Sequence, residues 1–104
     1  MSAFTAALGA LFLDPHLSLS ALYRAEGIGA GVAVRVIRSA PDQVTTFASG
    51  RFVVDTVLID VRVSDAPDLT EGDTFEIAGE VFMVQGAPRR DEDRIAWRAE
   101  ARLL

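Results

Sequence analysis

The residues that could do chemistry in this chain are few, and they form no known catalytic motif. The only histidine, His16, stands in no Ser-His-Asp context. One histidine cannot supply a two-histidine zinc site, and the absence of cysteine removes thiolate metal sites and disulfides. We therefore predict no catalytic residue, no cofactor and no metal, and we interpret His16 as a surface or packing residue.

Carboxylates occur in two groups along the chain, and we interpret both groups as solvated connections. Hard cations bind oxygen-rich loops, but neither group has the spacing of an EF-hand loop. Paired carboxylates can also transfer protons, yet aspartate is favoured in turns for backbone reasons alone. The two groups are Asp65, Asp68, Glu71 and Asp73, followed by Asp91, Glu92 and Asp93.

A glycine-rich stretch, Glu26–Gly31, has the composition of a phosphate-binding loop but not its context. Such a loop follows a strand and opens a helix, where backbone amides bind the phosphate. Here the glycines precede the strand-like Val32–Arg38, and no GK[ST] sequence is present. We therefore interpret residues 26–31 as a flexible linker.

Arginines lie on the polar side of the last predicted strand, where they could follow nucleic-acid phosphates. The formal net charge of −5 opposes this reading, because an acidic molecule is weakly repelled by nucleic acid. We interpret the arginines as a solvated face interleaved with Glu100, or as a salt-bridged interface. They are Arg94, Arg98 and Arg102, with Arg89 and Arg90 just before the strand.

The elements that must position these residues begin with a short predicted helix. The apolar stretch Ala3–Leu13 has helical spacing, and Asp14-Pro15 ends it because proline disfavours helix in the preceding residue. The stretch is too short to span a bilayer, and no Lys or Arg precedes it as in a signal peptide. We predict a soluble chain, and we assign Leu17–Tyr23 to no element.

Most of the remaining chain is predicted to be β-structure. Apolar and polar residues alternate over long stretches, which is the period of a half-buried strand. Turn-forming residues separate these stretches. The predicted strands are 32–38, 44–48, 51–54, 57–63 and 95–103, and 86–93 is predicted to be a polar connection.

A hairpin over Glu71–Val84 is the most defined element of the sequence. A turn at Gly72-Asp73 leads into its first strand, and Gly79-Glu80 fits the two central positions of a type II′ turn. This turn predicts that Ile77 faces Phe82 and that Phe75 faces Val84. All four side chains then lie on one face of the hairpin.

These elements predict a mainly β fold, a small antiparallel β-barrel or sandwich, in a single domain of 104 residues. A helix and linker arm is expected over 1–31 and the β-domain over 32–104. The segment Asp42–Asp55 is predicted to project as a long loop or hairpin. Leu58, Val81 and Met83 are apolar on strand faces expected to be polar, which predicts a second covered face, either under the N-terminal helix or at a subunit contact.

Several groups of residues carry a resemblance to a known family. In the second half they are Asp60–Val63, Gly72–Phe75, Gly79–Gly86, Pro88–Asp91 and Ala96-Trp97. In the first half they are Ala21–Arg24, the glycine linker and Val32–Ile37. From about Asp14 to the end, the chain resembles head–tail joining proteins, the connectors of long-tailed phages, prophages and gene transfer agents. The likeness rests on turn glycines and alternating strands.

The resemblance implies a stopper, or head-completion, protein built on a small β-barrel with long loops. Such a protein forms a homo-oligomeric ring, usually a hexamer, between the portal or adaptor above and the tail terminator below. It retains packaged DNA, which passes through the channel without sequence-specific binding, and it provides the tail attachment platform. The location implied is the head–tail interface of a particle assembled in the bacterial cytoplasm, with no membrane contact. The family supplies no active-site residues, so we predict no enzyme.

Specific residues follow from this reading. The predicted structural turns are Gly72, Asp73, Gly79 and Glu80. The candidate contacts with a neighbouring subunit or the lumen are Thr45, Phe47, Arg51, Leu58, Met83, Arg98 and Arg102.

Alternative functions remain open at the level of sequence. A tail terminator or an adaptor of the same particle is the nearest, although an adaptor would more often be helical. A ligand- or oligonucleotide-binding barrel would need exposed aromatic residues over a basic groove, whereas Phe75, Phe82 and Trp97 fall at core positions. An enzyme is disfavoured because no nucleophile–base pair is recognisable.

Overall fold

Stretches of alternating apolar and polar residues form the strands of the computed structural model, which describes residues 10–39, 56–91 and 95–104. All neighbouring strands are antiparallel, and they follow the order β1-β2-β3-β6-β5-β4 around a barrel that closes where β4 pairs with β1. The predicted small antiparallel barrel is therefore confirmed. The strands are β1 (Leu19–Arg24), β2 (Val32–Ser39), β3 (Thr56–Arg62), β4 (Thr74–Ile77), β5 (Glu80–Arg90) and β6 (Ala96–Leu103).

Alternate residues of each strand fill the barrel, because successive side chains point to opposite sides of a sheet. The last strand follows its predicted alternation, with Ala99 and Ala101 buried and Arg98, Glu100 and Arg102 exposed. Small alanines on β6 leave room for larger side chains from the facing strands. The strand residues of the core are Ala21, Val34, Val36, Ile59, Val61, Phe75, Ile77, Phe82, Val84, Ala99 and Ala101.

The β4–β5 hairpin keeps its predicted inward face but not its predicted turn. The turn is formed by Ala78-Gly79, both with positive φ (53° and 85°), which is the geometry of a type I′ turn. Phe75 consequently pairs with Phe82, and Glu80 is the first residue of β5. The prediction of a type II′ turn at Gly79-Glu80 is therefore wrong, as are the pairs it implied.

The register is fixed at the other end of the hairpin. There the Val84 amide donates to the Asp73 carbonyl over 2.8 Å, and the Gly72 amide donates to the Val84 carbonyl over 3.0 Å. These bonds place Asp73 opposite Val84. The observed register differs from the predicted register by an even number of residues, so each side chain stays on its predicted side of the sheet.

Two other boundaries differ from those predicted. The unassigned stretch before the glycines forms β1, so the barrel begins at Leu19, not at residue 32. β5 runs on to Arg90, because its second half pairs with β6 after an irregularity between Gln85 and Arg89. The predicted polar connection at 86–93 is therefore mostly strand.

Residues 10–13 are helical and form the end of the predicted helix. The predicted projecting segment Asp42–Asp55, with its candidate contacts Thr45, Phe47 and Arg51, lies outside the described residues and stays a prediction. In the ranges that the structure covers, no helix is both long and apolar enough to cross a bilayer.

One end of the barrel is covered by residues 63–73, which connect β3 to β4. Ala66 and Leu69 are buried with the core, and the Trp97 indole donates to the Ala66 carbonyl over 2.8 Å. The β1–β2 and β5–β6 connections leave from this same end, because the strands alternate in direction. We call it the loop end.

Candidate interaction surfaces

The strand register brings four of the predicted contact residues together on the outside of the barrel. β3, β6 and β5 lie side by side, and directly paired residues of an antiparallel sheet point to the same side. Leu58, Met83, Arg98 and Arg102 therefore share one outer surface, which we call the three-strand face. Its rows are Leu58, Glu100 and Gln85; Thr56, Arg102 and Met83; and Asp60, Arg98 and Arg89.

The apolar members of this face are only partly covered. Leu58 and Met83 are half-buried, as is Val81 nearby on β5. Among the described residues, Leu11 and Phe12 of the N-terminal arm line a cavity with Ile37 and Asp60 rather than with Leu58 or Met83. That a partner covers Leu58 and Met83 stays a prediction.

Arg98 is held flat on the three-strand face by Asp60. Its Nε donates to Asp60 Oδ1 over 2.9 Å and a terminal nitrogen donates to Asp60 Oδ2 over 3.0 Å, a bidentate pair. This hydrogen bonding raises the pKa of the Arg98 guanidinium above its ordinary value. The Arg98 side chain nevertheless stays 62% exposed. The ion pair therefore keeps the Arg98 guanidinium at the surface while the Asp60 carboxylate neutralises much of its charge.

A groove with a volume of about 380 Å³ adjoins the three-strand face. Leu11, Ile37, Ala96 and Trp97 form its apolar wall, and arginines stand on its rim. The Arg90 guanidinium lies 5.1 Å from the centre of the Trp97 ring, a cation–π contact that holds it over the indole. We call this feature the tryptophan groove, and it suits an apolar side chain accompanied by a carboxylate.

The irregularity in β5 shapes a second cavity. Three residues, Gly86 to Pro88, lie between the paired Gln85 and Arg89, whereas only Ala99 lies between their β6 partners. Beside them lies a space of about 360 Å³ lined by Leu58, Arg98 and Glu100, among others. Sequence reasoning missed this feature, although Gly86 and Pro88 within a strand pattern are typical of a bulge.

A buried carboxylate ties the loop end together. Asp73 is 1% exposed. Its Oδ2 accepts hydrogen bonds from the Tyr23 hydroxyl over 2.6 Å and the Thr70 amide over 3.0 Å, and its Oδ1 accepts one from the Glu26 amide over 2.9 Å. Asp73 is one of the predicted turn residues, and Gly72 before it has a positive φ of 97°. Asp73 joins the β1–β2 and β3–β4 connections.

Tyr23 is perturbed by this environment. The largest cause of its pKa shift is burial, followed by the hydrogen bond to Asp73 and by the charges of Asp73 and Asp68. Together they raise the pKa of the Tyr23 phenol well above its ordinary value of 10.0. The role of Tyr23 is structural, because the neutral phenol donates a hydrogen bond to a carboxylate that other groups already hold in place.

The β1–β2 connection presents an apolar tip to solvent. Ile28 is 71% exposed and Val32, at the start of β2, is 58% exposed. We call these two side chains the knob. Sequence reasoning missed Ile28. An apolar residue among the glycines of a turn was the signal that could have identified it.

The remaining candidates are dispersed. His16 is exposed, and its amide donates to Asp14 Oδ1 in the turn that follows the helix. Within the described ranges, no three acidic or histidine side chains converge as metal ligands, and the absence of a metal or cofactor stays a prediction. Phe75 and Phe82 are buried in the core, as expected, whereas Trp97 is half-buried and lines the tryptophan groove.

Comparison with known proteins gives one family. A family model described as phage head-tail attachment protein matches residues 1–101. No curated protein matches the chain.

Proposed function

The chain belongs to the phage head–tail attachment family, a family of structural virion proteins, and from this premise we propose that it is a stopper that forms a hexameric ring. In this proposal the ring lies between the portal or adaptor and the tail terminator. It retains packaged DNA and offers the tail its attachment platform. The chain acts by assembly and not by catalysis.

The observation that carries the proposal is the three-strand face. A closed barrel satisfies its strands internally, so copies meet through outward side chains and not through added strands. On this face half-buried Leu58 and Met83 are interleaved with Arg98, Glu100 and Arg102. Apolar side chains on both sides of a charged central strand leave more apolar surface on one outer face than a free subunit usually exposes, which favours a partner that covers this face.

The charge distribution supports a channel through which DNA moves freely. Strong binding to DNA requires arginines that are free to neutralise phosphates. Here three arginines are engaged with carboxylates of the same chain: Arg24 with Glu76, Arg62 with Asp65 and Arg98 with Asp60. Together with the net charge of −5, these ion pairs favour weak, sequence-independent contact with DNA.

The proposed stopper role is tested with particles assembled in the absence of this protein. A stopper acts after packaging, so its loss gives heads that fill and then release their DNA, together with separate tails of normal length. A tail terminator would instead leave tails of uncontrolled length. Electron microscopy with measurement of protected DNA distinguishes the two outcomes, and irregular tails with full, stable heads would refute the stopper role.

The three-strand face is tested by Leu58→Asp, with Ser20→Asp as the matched control. Both positions point outward, but Ser20 lies on β1, on the other side of the barrel. We expect Leu58→Asp to lower incorporation into particles at least tenfold and Ser20→Asp to leave it unchanged. Circular dichroism checks that both variants fold. Equal incorporation of the two variants would show that this face makes no contact.

A further inference from the structure

The loop that carries the knob is rich in glycine, but hydrogen bonds join it to the barrel and within itself. Arg24 Nε donates to the Gly29 carbonyl over 3.0 Å, and the Arg24 guanidinium also pairs with Glu76. The Ile28 amide donates to the Ala25 carbonyl over 3.2 Å. Ordering a loop so that it exposes an isoleucine costs conformational entropy and leaves apolar surface in water, which is typical of a binding element.

The tryptophan groove is complementary to the knob in polarity and in charge. Its wall is apolar, and its charged lining is formed by Arg89, Arg90 and Arg98 together with Asp60 and Asp91. Asp60 is paired with Arg98 and Asp91 accepts a hydrogen bond from the Ile95 amide, so Arg89 and Arg90 leave the groove with a net positive charge. The knob carries a carboxylate, Glu26, two residues before Ile28, and Glu26 is exposed. An isoleucine in the groove would therefore bring Glu26 towards the arginines of the rim.

The knob and the groove occupy different surfaces of one chain. The knob loop is bonded to β1 and to the start of β4, through Arg24, Glu76 and Asp73. The groove lies over β2, β3, β5 and β6. Two different complementary surfaces on one chain give head-to-tail association, which closes into a ring when the rotation permits.

We propose that the knob of each copy inserts into the tryptophan groove of the next copy around the ring. Ile28 and Val32 contact the apolar wall, and Glu26 faces Arg89 and Arg90. This contact rests on the proposed ring. It extends the subunit contact proposed for the three-strand face, because the groove shares Asp60, Arg89 and Arg98 with that face.

Disulfide trapping in assembled particles tests this contact directly, because the chain has no cysteine of its own. The variant Ile28→Cys with Ile37→Cys places one thiol on the knob and one in the groove. On mild oxidation we expect a ladder of covalent multimers that ends at the number of subunits in the ring. Each single-cysteine variant should run only as a monomer on a denaturing gel, and a reducing agent should convert the ladder of the double variant to the monomer band.

Charge exchange gives a second test that does not depend on disulfide geometry. Glu26→Arg and Arg90→Glu should each lower incorporation into particles at least tenfold, and the double variant should recover most of it. Loss in both single variants without recovery in the double variant would refute the pairing of these charges.

The outcomes separate this inference from the proposed function. A ring visible by electron microscopy in the cysteine variant without a covalent ladder overturns the knob-in-groove contact and leaves the ring intact. A disulfide from Ile37→Cys to a different protein also overturns it, because the groove then has another occupant. Particles in which no ring is seen overturn the proposed function itself.

Discussion

Removing the Tyr23 hydroxyl should destabilise the barrel measurably, because it takes a donor from a buried carboxylate. In Tyr23→Phe the ring keeps its packing against Phe75, whose centre lies 5.3 Å away, so only the hydrogen bond to Asp73 is lost. Hydrogen bonds to charged groups contribute about 1.5–3 kcal/mol. We expect the free energy of unfolding to fall by this amount, since Asp73 is 1% exposed and loses one of its three donors.

Urea denaturation followed by fluorescence measures this change, because Trp97 is the only tryptophan. Asp68→Asn is the matched control, since Asp68 is an exposed carboxylate close enough to influence Tyr23. The control should change stability by less than about 0.5 kcal/mol. A loss in Tyr23→Phe no larger than that of the control would refute the role assigned to the buried carboxylate.

The same interaction predicts a pH dependence with a definite sign. Folding raises the pKa of Tyr23 above 10.0, first through burial and then through Asp73, so the folded state favours the neutral phenol. The stabilisation is therefore complete below pH 10 and is lost as the pH rises above that value. Tyr23 is the only tyrosine, so near-ultraviolet absorbance reports its ionisation alone. Tyrosinate formation near pH 10 in protein that remains folded would contradict the assignment.

Three further changes have expected effects of different size. Ala78→Asn should stabilise the protein by about 1 kcal/mol in urea denaturation, because asparagine tolerates the positive φ better than alanine; destabilisation would contradict the turn assignment. Arg98→Gln should change stability by less than about 1 kcal/mol, because its pair with Asp60 is solvent-exposed. Phe12→Ala should cost about 3 kcal/mol or more, because Phe12 is 1% exposed under the Arg62 guanidinium; a cost below 1 kcal/mol would show that the arm packs loosely.

The alternation of inward and outward side chains along a strand could be predicted from the sequence, because it depends only on the local chain. Successive side chains of a strand point to opposite sides whatever the strand pairs with. The inward faces of β2, β3 and β6 therefore follow from the sequence, and so does the shared face of Phe75 and Phe82. The family resemblance, which rests on the same strands and turn glycines, was confirmed by the family match over residues 1–101.

Strand and turn boundaries that depend on pairing between strands could not be predicted from the sequence. β1 was missed because only pairing with β2 and β4 makes a strand of Leu19–Arg24. The hairpin turn was misplaced because bonds at Asp73, far from the turn, set the register. A register shift of an even number of residues leaves the sequence pattern equally satisfied, so no local signal could choose between the two turns.

By itself, then, the sequence determined a small antiparallel β-barrel or sandwich without a recognisable catalytic motif, a resemblance to head–tail joining proteins, and the inward side of most strands. Only the tertiary structure decided which outward side chains meet. Leu58, Met83 and Arg98 come from three strands and share one face because β6 lies between β3 and β5. Strand order depends on closure of the whole barrel, a long-range property that no short stretch of chain encodes. The knob and the groove are likewise formed by connections and strands that are distant in sequence, so only the tertiary structure shows them.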